Sequence, residues 1–244
     1  MKKIFITGAS SGLGAALARE FANETIILGL LSRRVEVLQQ VSEEFTGKVY
    51  CYGADVGDPV KVRNAAESFM ESVGVPDLVI ANAGISAGTE TSFVEDQGVF
   101  ERIIRTNVLG MVHTFQPFLG AMSHRGSGSL VGISSIAGFR GIPGSGAYSA
   151  SKAAATSYLE SLRVELSLSG INVLTVCPGY IRTPMTDVNH FYMPFLINAE
   201  SAASSIIEAI NKKKRFHVVP WQMAVIGFLL RLLPRKIYDF LFRR

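Results

Sequence analysis

The sequence predicts an α/β fold: one doubly wound parallel sheet of about seven strands with helices on both faces. Three observations carry this expectation. Short runs rich in Ile, Val and Leu alternate with longer segments of helical periodicity along the 244 residues. The short runs are apolar at consecutive positions, as in TIILGLLS, which is the pattern of strands buried on both faces. The first run also passes directly into a glycine-rich turn, TGASSGLG, and then into a helical segment.

Each element can be justified in order. KKIFIT is the first strand and LGAALAREFA the first helix. TIILGLLS and VEVLQQVSEEF form the second strand and helix, KVYCYGADV and PVKVRNAAESFMESV the third. In that third helix Pro59 falls in the first turn and Asp58 is the N-cap. PDLVIANAG is the fourth strand, followed by one long helical stretch over residues 94–122. SGSLVGISS is a strand, residues 147–168 a helix, and INVLTVCPG a strand stopped by Pro178. Residues 199–212 form a helix and RFHVV the last strand. There is no internal repeat or flexible linker, so residues 1–220 are expected to be a single domain. Within it, residues 184–199 read as a flap, and residues 221–244 are a helical extension.

Composition narrows the function. From residue 211 onward nine Lys or Arg face one acid, Asp239, a net charge of +8. Residues 1–210 hold 15 basic and 19 acidic groups, or −4. The high isoelectric point thus belongs to the tail. No groove-binding motif accompanies this basic cluster, so nucleic acid is not an expected partner. Cys51 and Cys177 make neither a disulfide framework nor a zinc pattern; each lies in an apolar run and reads as a buried thiol. No metal site is expected. MKKIFITG has too few apolar residues for a signal peptide, so the expected compartment is the cytoplasm.

The chemistry is carried by spacing. Tyr148 and Lys152 lie four residues apart in AYSASKAAATSYLESL, which places a phenol and an ammonium on one helical face. A free phenol titrates near ~10, and a neighbouring cation favours its ionised form. At the other end of the domain, Gly8, Gly12 and Gly14 sit between a strand and a helix. Such a turn lets the backbone approach a pyrophosphate while the helix N-terminus faces the anion. No G-x-x-x-x-G-K-[ST] pattern occurs, which argues against a nucleotide triphosphatase.

In these motifs the chain resembles the short-chain dehydrogenase/reductase family, in its compact single-domain branch. The resemblance rests on TGASSGLG (7–14), ADV (54–56), NAG (82–84), Asn107 in TNVLG, Ser135 with YSASK (148–152), and PGYIRT (178–183). It implies a Rossmann-type fold and an NAD(P)-dependent oxidoreductase. It implies that Tyr148 is the general acid or base, that Lys152 lowers its pKa and binds the nicotinamide ribose, and that Ser135 binds the substrate oxygen. Asn107 would hold a water beside Lys152. Ser134 is the neighbouring candidate for the serine role, but strand alternation and spacing favour Ser135.

The same resemblance implies a cofactor site. Gly8, Ser10, Ser11, Gly12, Leu13 and Gly14 would face the phosphates. Asp55 and Val56 would meet the adenine, and Asn82, Ala83 and Gly84 would line the groove. Pro178, Gly179, Ile181 and Thr183 would reach the nicotinamide side. NADP(H) is expected over NAD(H), because the second strand ends in Ser32, Arg33 and Arg34 rather than in a carboxylate. Arg33 is the residue expected to pair with a 2′-phosphate.

The substrate expected is a small hydrophobic carbonyl compound or alcohol, with Phe139, His190, Phe191 and Met193 as wall residues beside Ser135. A homodimer or homotetramer is implied by the family. A non-catalytic NADP(H) sensor stands as the alternative, disfavoured by the complete set of polar residues. Nucleotide-sugar epimerase or dehydratase chemistry is disfavoured by the short chain left after Thr183. For the tail, WQMAVIGFLLRLLPRKIYDFLFRR, Pro234 separates two helices. Arg235, Asp239 and Arg243 would form one polar stripe with Ile237, Phe240 and Leu241 away from it. Two readings stand: the tail lies in a membrane interface, or it packs on a neighbouring subunit or the substrate mouth.

Overall fold

Strand β1 (Lys2–Thr7) buries Ile4, Phe5, Ile6 and Thr7 in succession, as an inner strand of a doubly covered sheet must. The protein is described by a computed structural model covering residues 1–23, 25–188 and 191–243. In chain order the strands continue with β2 (Ile26–Ser32), β3 (Lys48–Gly53), β4 (Leu78–Ala81), β5 (Gly128–Ile133) and β6 (Ile171–Pro178). Two short strands, β7 (Ile181–Arg182) and β8 (Ile197–Asn198), precede β9 (Phe216–Val219). The main sheet has seven strands in the order β3-β2-β1-β4-β5-β6-β9, all parallel.

The helices are α1 (Gly12–Phe21), α2 (Val35–Ser42), α3 (Pro59–Val73), α4 (Gln97–Ile104), α5 (Gly110–Arg125), α6 (Gly146–Glu165), α7 (Ala199–Asn211), α8 (Trp221–Leu232) and α9 (Arg235–Leu241). Strand alternation divides the core in two. Ile4, Ile6, Leu28 and Leu30 point to the face that holds Leu17 of α1 and Ile206 of α7. Phe5 points to the other face, among Phe69, Phe115 and Phe118. Its ring lies 5.5 Å from that of Phe69 at 69° and 5.0 Å from that of Phe118. A buried ring in such a cluster contributes about 3–5 kcal/mol relative to Ala. Asp58 caps α3 as expected, accepting from the N–H groups of Val60 and Lys61, with Pro59 in the first turn.

Several boundaries differ from the sequence reading. The stretch over residues 94–122 is not one α-helix: α4 and α5 are separated by a π-helical turn, Arg105–Leu109. That turn contains Asn107, and the extra residue per turn rotates its side chain inward. β6 includes Pro178 rather than stopping before it, which is possible because Pro still offers its carbonyl. The pairing of β7 with β8 closes the ends of residues 183–196 together, which the sequence pattern did not show. Cys177 is fully buried, but Cys51 is only half-buried.

The neighbouring ends of β1 and β4 are where the sheet changes winding direction. Chain leaving them diverges to opposite faces and opens a cleft at their carboxyl ends.

Candidate active site

The cleft begins at the turn after β1. Gly8 and Gly12 have φ of +69° and +55°, left-handed values that a side chain would strain. Gly14 allows the closest approach: a Cβ there would strike the Gly8 carbonyl and the Asn82 amide. Asn82, just past β4, clamps the turn by donating from Nδ2 to the carbonyls of Thr7 and Gly8, each at 3.1 Å. Ser11, the N-cap of α1, makes no side-chain bond to the helix. The first-turn N–H groups of α1 therefore keep their capacity for an anion.

The end of β2 forms the next wall. Ser32 is buried, and its Oγ accepts from the Arg34 N–H (3.0 Å) and donates to the Arg34 carbonyl (3.1 Å). This local loop turns Arg34 back over the glycine turn, where Nη2 donates to Ser10 Oγ at 3.1 Å and Ser11 Oγ at 3.0 Å. Arg33 points outward, 70% exposed, with its Nη1 3.9 Å from Asp55 Oδ2. So loose a pair is worth under about 1 kcal/mol. Asp55 accepts from the Gly57 N–H at 2.8 Å. Both arginines line the cleft, but Arg34 rather than Arg33 is bonded to the turn.

The far end holds the titratable groups. Ser135 follows β5 and has its Oγ 3.4 Å from the Pro178 carbonyl, while accepting from the Ala137 N–H. Ser134 points the other way, to the Lys152 carbonyl (2.8 Å) and Thr156 Oγ1 (2.7 Å). Lys152 is buried, with Nζ donating to the Ile133 carbonyl at 2.9 Å and lying 5.7 Å from the Tyr148 ring centre. Burial pushes this ammonium down from 10.5 to about 8, a shift only partly opposed by Cys177.

Burial raises the Tyr148 phenol above its ordinary value, and a hydrogen bond with Ser135 opposes the rise. The depression of Tyr148 expected from its cationic neighbour is therefore not found. Desolvation sets the direction, and the Lys152 ammonium donates to the Ile133 carbonyl.

Asn107 is buried and bonded at both ends of its amide: Oδ1 accepts from the Ile85 N–H (2.8 Å), and Nδ2 donates to the Ile85 carbonyl (2.9 Å) and Ser151 Oγ (3.0 Å), which leaves one lone pair of Oδ1 for the expected water. Ser151 in turn donates to the Tyr148 carbonyl at 2.7 Å. The π-turn is thus tied both to the segment after β4 and to the first turn of α6.

One cleft of about 1250 Å³, measured with its open mouth, joins these parts. Its wall includes the glycine turn, Ser32 to Arg34, Asn82 to Gly84, Ser135, Tyr148 and Lys152. The sequence model of the short chain dehydrogenase family matches residues 2–190. The chain belongs to the short-chain dehydrogenase/reductase family.

Its relatives agree. The "Uncharacterized oxidoreductase" of Myxococcus xanthus (strain DK1622) is 36% identical, over 98% of this chain and 95% of that one. The ketoacyl reductase HetN of Nostoc is 33% identical, over 95% and 83%. An alcohol dehydrogenase of Thermococcus sibiricus, solved with 5-hydroxy-NADP, superposes with a TM-score of 0.80 at 25% identity, covering 90% of this chain and 95% of that one. This short-chain dehydrogenase/reductase is an NAD(P)-dependent oxidoreductase with a Rossmann-type fold.

The residues present fit a dinucleotide. Left-handed glycines, a helix N-terminus open to an anion, and Gly84 beside Asn107 and Lys152 all line the cleft or adjoin its wall. Val56, Ala83, Pro178, Gly179, Ile181 and Thr183 also line it, as does Leu13.

The expected substrate wall is placed differently. Phe139 does not line the cleft; its ring stacks at 6.3 Å on Phe216 and lies against Gly227. Phe191 is exposed and meets the edge of Tyr180 at 6.0 Å, and half-buried Met193 is also absent from the lining. His190 lies outside the described residues. Ile85, Thr106 and Met185 line the cleft instead and were missed. Adjacency was the available signal, since Ile85 follows NAG, Thr106 precedes Asn107, and Met185 follows PGYIRTP.

Proposed function

We propose that this enzyme uses NADP(H) to interconvert a hydrophobic carbonyl compound and its alcohol, working chiefly as a reductase. The observation that carries the reading is the single cleft that joins the arginine-lined end to Ser135 and Tyr148. When bound, the nicotinamide supplies or accepts the hydride. Tyr148 gives its phenolic proton to the carbonyl oxygen, and its raised pKa keeps that proton in place at neutral pH. Ser135 donates a second hydrogen bond to the same oxygen as charge develops there. Lys152, buried and still largely protonated at pH 7, holds the ribose and feeds the proton path. Asn107 acts by positioning, through Ser151, the turn that bears Tyr148.

Two arginines and no carboxylate at the end of β2 support NADP(H) over NAD(H). Val188, Phe191, Tyr192 and Phe195 are exposed apolar residues that follow the wall residues Met185 and Thr186 in the chain, which supports an apolar substrate. The name of the HetN relative, a ketoacyl reductase, points the same way. We also infer a homo-oligomer, as the family implies.

The test is consumption of NADPH and NADH against aliphatic and aromatic aldehydes, diketones, 3-oxoacyl thioesters and steroid ketones. Turnover with NADPH that Tyr148→Phe lowers at least ~100-fold is the expected result. Full turnover in Tyr148→Phe would refute the assigned proton donor. Cofactor binding without turnover on any of these compounds would favour a sensor.

A further inference from the structure

The tail of the chain carries an apolar face that no other described residue covers. α8 rests on the body through one side only: Met223 packs on Gly179, and Gly227 lies against the Phe139 ring, which leaves no room for a Cβ. α9 is fastened by Tyr238, whose Oη donates to the Gly141 carbonyl at 2.6 Å. The Arg140 guanidinium lies 4.3 Å from the Tyr238 ring centre, and its Nη1 donates to the Leu233 carbonyl at 3.0 Å.

The opposite side of α8 is apolar. Trp221, Val225, Phe228, Leu229 and Leu232 recur at helical spacing, and each is at least 51% exposed. On α9, Phe240 and Leu241 are also bare, 71% and 61% exposed. Arg231, Arg235, Lys236 and Arg243 stand among them, all exposed, with Asp239 as the lone acid.

We propose that this face docks in the interfacial layer of a bilayer bearing anionic lipid, with α8 lying in the membrane plane. Apolar side chains on one flank and basic ones around them are the composition such a surface binds. A spanning arrangement is not available, because no described helix is long and apolar enough to cross a membrane. Charge separates lipid from a second copy of the chain. A two-fold contact would set the same basic groups of both copies against each other, with one acid from each.

The docked helices are the outer support of residues 139–141, which follow Ser135. Docking would therefore hold the Ser135 side of the cleft at the lipid surface. On the functional reading above, from which this step follows, a bilayer-dissolved carbonyl compound would reach Tyr148 without passing through water.

The full-length protein is tested by flotation with vesicles of phosphatidylcholine, and with vesicles of phosphatidylcholine and phosphatidylglycerol in equal parts. It is expected to float with the anionic vesicles and to be released by salt. Phe228→Glu with Leu229→Glu should abolish flotation. Arg235→Gln with Lys236→Gln should lower the partition coefficient about 30-fold, the effect of two near-surface charges. All four side chains are exposed, so the thermal midpoint should hold in both variants. No flotation, or flotation that Phe228→Glu with Leu229→Glu leaves intact, overturns the proposal. So does a dimer that this double variant splits while neither protein binds vesicles. Flotation needs no turnover, so a failed carbonyl panel would leave this result standing by itself.

Discussion

Lys152→Met should make the protein more stable at neutral pH while abolishing its activity. The lysine is buried, and its folded pKa of about 8 lies below the ordinary 10.5. The folded state therefore disfavours the charged form, and the cost is fully present below the folded pKa. At pH 7 it amounts to about 3 kcal/mol, from 2.5 pKa units at roughly 1.4 kcal/mol each. Methionine nearly preserves the volume and carries no charge, but it leaves the Ile133 carbonyl without the lysine's hydrogen bond. That loss costs about 1–2 kcal/mol. The net gain should be about 1–2 kcal/mol.

The sign with pH is specific. Between about 8 and 10.5 the unfolded chain binds the proton that the folded one has released, so the wild type gains stability as pH rises. Its advantage in pH 9.5 over pH 7 should be about 2 kcal/mol from this group alone, and the methionine variant should lack it. Urea unfolding of both proteins without cofactor, at pH 7 and pH 9.5, measures this directly. A variant that is less stable at pH 7 and retains the wild-type rise with pH would refute the argument.

Three further outcomes follow from the cofactor end of the cleft. Arg33→Asp should raise the NADPH dissociation constant about 100-fold, the worth of a charge-assisted pair, and that of NADH by less than about 3-fold. Arg34→Ala should weaken both cofactors, because it also releases Ser10 and Ser11; titration by fluorescence separates the two patterns, and equal losses for Arg33→Asp would remove the NADP(H) preference. Gly14→Ala should destabilise the fold by about 1–3 kcal/mol in urea and abolish cofactor binding, since its methyl would meet the Gly8 carbonyl and the Asn82 amide. A glycine turn that accepted alanine there without loss would contradict the close packing described.

Much of the architecture was legible because it is written in local chemistry. Consecutive burial along β1 and β2 reads as apolar runs, and the 3.6-residue period puts Tyr148 and Lys152 on one face of α6. The turn around Gly8 and Gly12 needs left-handed backbone, which the glycines announce. Pro234 stands between α8 and α9 for the same kind of local reason, the missing N–H.

Other features depend on residues that meet only in space. Arg33 and Arg34 are equal as letters. The Ser32 loop decides that Arg34 reaches Ser10 and Ser11 across more than twenty residues while Arg33 points to solvent. The π-turn at Asn107 has no local signature, since its reason is the pair of bonds to Ile85 and the one to Ser151. Phe139 could not be kept out of the substrate wall from its own neighbourhood, because Gly227 and Phe216, far along the chain, hold its ring. On the tail, the spacing set Ile237, Phe240 and Leu241 apart, but the residue that became buried was Tyr238, drawn in by Arg140 and Gly141.

The sequence by itself determined the doubly wound sheet, the glycine turn and the shared helical face of Tyr148 and Lys152, because backbone periodicity and glycine conformation are properties of short segments. Tertiary structure alone decided which arginine touches the turn, how burial displaces the titrations of Tyr148 and Lys152, and which side of the tail stays bare. Desolvation and long-range contact exist only once the chain has closed on itself.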